Sequence, residues 1–122
     1  MEDSGHVRPP SIYIRGPLRT RVRLTDRGIL ALSNELKHKA KVLKILGDPN
    51  RLRIIELLRD GELCQCEILP VIGQSQPTVS RHLRLMEQTG ILSRRKDGTR
   101  TFYKVASENV FTIVDLLEPI HT

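Results

Sequence analysis

The sequence predicts a mainly helical domain carrying one β-hairpin, and three observations lead there. Apolar residues recur at helical spacing in successive segments punctuated by glycine, Asp97-Gly98 divides two extended runs, and aromatics make up only 3% of the chain. A core short of aromatic rings must be filled by Leu, Ile and Val, which suits helices packed on helices. At 122 residues the chain is long enough for about one domain with one modest core.

Residues 1–28 are expected to form a basic arm, since they hold Pro9, Pro10 and Pro17 and the arginines Arg8, Arg15, Arg19, Arg21 and Arg23 with little helical periodicity. Within the arm, SIYI and RVRL have the composition of short strands or of a solvated tail. The domain proper then takes residues 29–122. Its first helix starts after Thr25, with Asp26 or Ser33 available as N-cap, carries Leu32, Leu36, Leu43 and Leu46 near helical spacing, and stops at Gly47. The second, DPNRLRIIELLRDG, has Asp48 as N-cap, Pro49 in the first turn, Leu52, Ile55 and Leu58 at spacing three, and Gly61 as the stop.

A short third helix is expected over ELCQCEILPVIG, closed by Gly73, with Pro70 either ending it early or sitting in its first turn. In the fourth, SQPTVSRHLRLMEQTG, Ser75 caps, Pro77 fits the first turn, and Val79, Leu83 and Met86 form an apolar seam that ends before Gly90. ILSRRKDGTRTFYKV then supplies the hairpin, its turn centred on Asp97-Gly98. A last helix starts at Ser107 and places Val110, Val114 and Leu117 on one face, with Pro119 just past its end. Four helices, a basic hairpin and a final helix are the element order of a winged helix-turn-helix.

The net charge is +6, which suits a polyanionic partner, nucleic acid first and acidic membrane second. From Gln74 to Lys104 the basic residues Arg81, Arg84, Arg94, Arg95, Lys96, Arg100 and Lys104 face only Glu87 and Asp97. With Val79 at the centre of the buried face, Arg81 and Arg84 fall opposite it, Thr78 and Ser80 lie at the sides, and Gln76 projects from the helix start. Guanidinium, amide and hydroxyl groups are what major-groove reading uses, so Ser75, Gln76, Thr78, Ser80, Arg81 and Arg84 are the expected DNA contacts. His82 falls nearer the core side, suited equally to packing or to a phosphate. Arg94, Arg95, Lys96 and Arg100 place a flexible basic loop where it can follow the DNA backbone or enter the minor groove.

No apolar run reaches the roughly 18 residues of a membrane span and no secretory signal pattern opens the chain, so a cytoplasmic protein is expected. In a reducing compartment, two cysteines one residue apart, Cys64 and Cys66, suggest a metal or redox site more than a structural disulfide. An enzyme is not expected: there is no Gly-rich phosphate loop, no HExxH and no GxSxG, and the four histidines are scattered.

The run ELCQCEI followed by QSQPTVSRHLRLMEQTGIL and then RRKDGTRTFYKV resembles the ArsR/SmtB family of metal-sensing repressors, over roughly residues 36–117. The resemblance implies a homodimer that holds operator DNA near a resistance operon and releases it when an inducer binds. Pairing is physically reasonable as well, because the first and last helices carry more apolar side chains than one small domain covers. By the same resemblance Cys64 and Cys66 would bind trivalent arsenic or antimony, or another soft metal. The third cysteine that arsenic-type members often carry is replaced by Leu69, and the arm lacks the cysteines of cadmium-type members. Ser107 and Asn109 stand where the family's other metal site has its first ligand pair.

Two thiolates suit methylated trivalent arsenic, linear mercury or copper(I), or arsenite completed by another ligand; His6 and His38 are weak candidates for that role. On a regular helix residues two apart point about 200° from each other, so the two sulfurs can share one atom only if the turn unwinds or the pair lies at a frayed helix start. Unwinding would bend the first half of the helix-turn-helix and loosen DNA binding. A thiol-redox regulator, and a DNA-binding module without effector, are the alternatives.

Overall fold

A computed structural model describes residues 11–13, 21–23 and 26–117 of the chain. His6 and Pro119 lie outside the described residues. The chain divides into two compact units, Met1–Lys39 and Ala40–Thr122.

In the first unit, β1 (Ser11–Tyr13) pairs antiparallel with β2 (Arg21–Arg23), Ile12 opposite Val22, so both SIYI and RVRL contribute short strands. Helix α1 (Asp26–Leu46) follows and runs on into the second unit.

The second unit holds the core. Helix α2 (Pro49–Leu57) starts on Asp48, whose Oδ1 accepts from the N–H groups of Asn50 at 2.8 Å and Arg51 at 3.2 Å. An aspartate in that place satisfies two of the donors that every helix start leaves without an internal partner. Helix α4 (Gln76–Gln88) is capped by Ser75 and presents Val79, Leu83 and Met86 as a fully buried seam. These side chains meet Ile54, Ile55 and Leu58 near α2, Ile68 and Ile72 of the helix between, and Leu92, Tyr103 and Phe111 beyond, in one aliphatic core. Helix α5 (Glu108–Asp115) begins on the Ser107 cap, and Arg59 ties it to α2: the guanidinium holds Glu56 and Asp115 and stacks 4.7 Å over the Phe111 ring.

The stretch between α2 and α4 departs from the expectation of a single helix over ELCQCEILPVIG. Leu63–Cys64 is instead a strand, β3, and helix α3 (Gln65–Ile72) begins only after it. β3 joins the wing, lying antiparallel to β5 (Arg100–Val105) with Leu63 opposite Tyr103 and Cys64 opposite Phe102; β5 in turn pairs with β4 (Leu92–Asp97), giving the order β3-β5-β4. Backbone hydrogen bonds across the sheet compensate the two residues taken from the helix. Pro70 sits in the second turn of α3 rather than the first. It removes one internal helix bond, yet the helix carries through to Ile72 and closes on Gly73 at φ 74°, a conformation that suits glycine.

The hairpin turn is displaced by one residue from its expected position. Asp97 pairs with Arg100, which leaves Gly98-Thr99 as the two-residue loop, and the positive φ falls on Gly98 at 64°. A two-residue loop with positive φ at its first position matches strand twist without bending Asp97 out of the ladder.

Candidate cysteine site and nucleic-acid interface

Because α3 starts at Gln65, Cys64 is its N-cap and Cys66 lies in its first turn. An N-cap residue has extended backbone, here φ −70° and ψ 147°, and its side chain folds back over the first N–H groups of the helix. Sulfur does here what Ser or Asp oxygen does elsewhere: Cys64 Sγ accepts from the Cys66 N–H at 3.1 Å. Glu67 completes a capping box, its Oε1 accepting from the Cys64 N–H at 2.8 Å. The cap thus directs Cys64 Sγ toward Cys66, and the structure joins the two sulfurs as a disulfide, Cα to Cα 5.1 Å.

The pair sits at the helix start, but that start is capped rather than frayed. The sulfurs converge across the helix start with α3 intact, so no unwinding is needed to bring them together. Cys64 is buried, at 3% exposure, whereas Cys66 is exposed. They open on a cleft of about 440 Å³ lined also by Gln65, Leu69, Gln76, Thr99, Arg100 and Thr101. The cleft therefore brings together the cysteine pair, the first residue of α4 and the tip of the wing.

Gln65, between the cysteines, donates from Nε2 to Ser80 Oγ on α4 at 2.7 Å. Behind it the cap of β3 is braced by Glu62, whose carboxylate takes Arg95 Nε at 3.0 Å and Nη2 at 2.7 Å, while the same guanidinium stacks 4.6 Å over Phe102. The hydrogen bonds from Arg95 hold the Glu62 carboxyl below the usual carboxylate range.

On α4, Gln76, Arg81 and Arg84 are exposed, as is the Ser75 cap, and Thr78 and Ser80 are half-buried at the flanks of the Val79 seam. Ser75 Oγ shares a hydrogen bond with Thr78 Oγ1 at 2.9 Å. A second, polar groove of about 270 Å³ runs between α4 and the wing, lined by Ser80, Arg84, Glu87, Arg94, Lys96 and Tyr103 among others. Arg94, Lys96 and Arg100 are exposed and carry no ion pair among the described residues, whereas Arg95 is committed to Glu62 and Phe102.

His82 turns inward. It is 7% exposed, its Nδ1 accepts from Arg51 Nε at 3.1 Å, and its Nε2 lies 3.0 Å from Gln74 Oε1. An arginine only donates, so the ring proton must sit on Nε2, which donates to the Gln74 carbonyl oxygen. Burial, with the adjoining Arg51 and Arg81 charges, pushes the imidazole below its ordinary pKa against the pull of Asp48. With both nitrogens used inside the protein, His82 positions the turn before α4 and is not placed to meet a phosphate.

Sequence reasoning overlooked Gln65, Glu62 and the Arg51–His82–Gln74 chain. Glu67 alone had left a sign, since it stands three residues after Cys64 at capping-box spacing, obscured because the cap is a cysteine. His38, the weak ligand candidate, lies in the unit Met1–Lys39 on α1.

Two helices joined by a short turn and followed by a basic wing define a winged-helix DNA-binding regulator. No described helix is long and apolar enough to cross a membrane. The chain belongs to the arsR family of bacterial regulatory proteins, which residues 48–94 match. It is 38% identical over 82 residues to an uncharacterized HTH-type transcriptional regulator of Methanocaldococcus jannaschii, covering 66% of this chain and 92% of that one. Against the arsenical resistance operon repressor of Staphylococcus xylosus it is 37% identical over 86 residues, 70% of this chain and 83% of the repressor. Among solved structures, the homodimeric winged helix-turn-helix DNA-binding domain of a Mycobacterium bovis protein superposes with a TM-score of 0.65 at 31% identity, covering 77% and 83% of the two chains.

Proposed function

We propose that the protein is a cytoplasmic transcriptional repressor of a metal(loid)-resistance operon, that two copies grip operator DNA, and that trivalent arsenic or antimony on Cys64 and Cys66 releases it. The observation that carries this reading is the cleft in which the two converging sulfurs share walls with Gln76 and Arg100. An occupant there stands beside the groups that α4 and the wing offer to DNA. Among the described residues no cluster of three or more His, Cys, Asp or Glu side chains gathers as metal ligands, so the donor set fits a two-thiolate guest and does not supply the four donors of a typical cadmium site.

The DNA-facing set is Ser75, Gln76, Thr78, Arg81 and Arg84 from α4, with Arg94, Lys96 and Arg100 from the wing. The arginine fork and the amide suit base edges, while the wing and the α4 N–H groups suit phosphates. Pairing of two copies is supported by the apolar side chains that α1 and the α5 end leave exposed, Ile29, Leu30, Leu36 and Leu43 on the one and Ile113, Leu116 and Leu117 on the other. By this reading residues 1–28 are the basic arm and 29–122 the DNA-binding and pairing domain, although α1 already opens at Asp26, three residues before that boundary.

Fluorescence anisotropy on a palindromic promoter fragment tests the reading, titrated with arsenite, antimonite, methylarsenite and cadmium. The expected result is release by the trivalent arsenicals and antimonite, lost in Cys64→Ser. DNA affinity indifferent to all four, or release that survives Cys64→Ser, would refute it.

The joined sulfurs favour a second reading, a thiol-redox regulator in which the disulfide and dithiol forms differ in DNA affinity. It predicts a change of affinity between oxidised and reduced protein with no metal(loid) present.

A further inference from the structure

We propose that the cleft beside the sulfurs is a subsite for the third group on a trivalent arsenical, and that Arg100 selects an anionic organic group there. The inference rests on the reading of Cys64 and Cys66 as the inducer site and extends it to specificity. Trivalent arsenic makes three bonds. Two go to Cys64 and Cys66, and no further His, Cys, Asp or Glu gathers with them among the described residues, so the third stays with a hydroxyl or a carbon group of the guest.

That group has space. The cleft measures about 440 Å³, and a cavity of about 150 Å³ already holds a benzene ring. Leu69 gives it an apolar wall, and Gln76, Thr99, Thr101 and Arg100 line it as well. The carboxylates of Glu67 and Glu62, within three residues of Cys64 along the chain, are both engaged, Glu67 by the Cys64 N–H and Glu62 by Arg95. Arg100 has no such partner among the described residues, and an arsenic atom bonded to both sulfurs leaves them uncharged, so the loaded cleft keeps one unmatched cation. A carboxylate on the guest supplies the match.

The consequence for DNA is direct. Arg100 stands at the wing tip, where a backbone phosphate is its natural partner. A guest that holds Arg100 withdraws that contact while its body fills the space next to Gln76.

Binding requires the dithiol. A phosphine reductant opens the disulfide, becoming phosphine oxide with oxygen from water, and is then removed by desalting. The reduced thiols react with an arsenical RAs(OH)2: two As–S bonds replace two As–O bonds, each thiol proton leaves with a hydroxyl as water, and arsenic stays trivalent.

The test uses the reduced full chain and two trivalent phenylarsenicals of similar size, one with a para-carboxylate and one with a para-amino group, measured by isothermal titration. The carboxylate is expected to bind up to about fivefold tighter at low salt, the size an open ion pair contributes, and to lose the advantage in Arg100→Gln. Raising the salt should erode the same advantage. Equal binding of both probes to the wild type, or a preference that persists in Arg100→Gln, overturns the subsite while leaving the cysteine reading intact. Binding of neither probe overturns both.

Discussion

Gln65 donates from Nε2 to Ser80 Oγ at 2.7 Å, and so the residue between the two cysteines is hydrogen-bonded to the flank of the helix proposed to read DNA. Any shift of the α3 start on binding a guest is felt by α4 through this bond. Gln65→Ala should leave arsenical binding to the sulfurs unchanged but shrink the loss of DNA affinity at saturating inducer by about 0.5–2 kcal/mol. Anisotropy titrations with and without methylarsenite measure that difference; an undiminished response means the signal passes only through the cleft walls.

The wing's arginines should separate by function. Arg94→Ala is expected to weaken DNA binding and lower the slope of log affinity against log salt by about 1, as loss of one phosphate contact does. Arg95→Ala should leave the slope unchanged, because its guanidinium already holds Glu62 and stacks on Phe102, and should cost little stability, since water screens so exposed a pair. Glu62→Gln, which frees Arg95, should strengthen DNA binding at low salt.

His82 makes stability depend on pH. Its folded pKa lies below the ordinary 6.5, so between the two values the unfolded chain binds more protons than the folded one. Stability is therefore full above about pH 6.5 and declines as pH falls through that window, where protonation would put a charge on Nδ1 against Arg51 and remove its acceptor. Urea midpoints at pH 7.5 and 5.5 should differ more for the wild type than for His82→Gln, whose amide cannot titrate.

Asp48→Ala removes the α2 cap and should cost about 1 kcal/mol, read from urea unfolding at pH 7. Burial acts to raise the Asp48 pKa, but the Arg51 and Asn50 N–H bonds and the His82 and Arg51 charges bring it below its ordinary 3.8. The stabilisation is thus present above about pH 3.8 and lost as pH falls further, so wild type and Asp48→Ala should converge in strong acid.

Much of the architecture was legible along the chain because it depends on local signals. Asp48 and Ser75 mark helix starts, and Val79, Leu83 and Met86 mark the buried face of α4; each works within a few residues, and each is where it was expected. The wing was legible for the same reason, although Gly98 rather than Asp97 takes the first loop position once the ladder fixes the register. Arg81 and Arg84 face solvent because a helical period alone puts them opposite Val79.

Local patterns along the chain were enough to place two thiols, an amphipathic helix with an arginine-bearing outer face and a basic hairpin close together in sequence. How they meet follows from pairings between distant parts of the chain. Leu63–Cys64 leaves the helix because β5, some 40 residues further on, offers a strand edge to pair with, and no local propensity encodes that partner. From that one pairing Cys64 becomes a cap, its sulfur turns toward Cys66, and the cleft gains Gln76 and Arg100 as walls. Likewise Arg95 and His82 are engaged by Glu62, Phe102, Arg51 and Gln74, partners that long-range packing supplies.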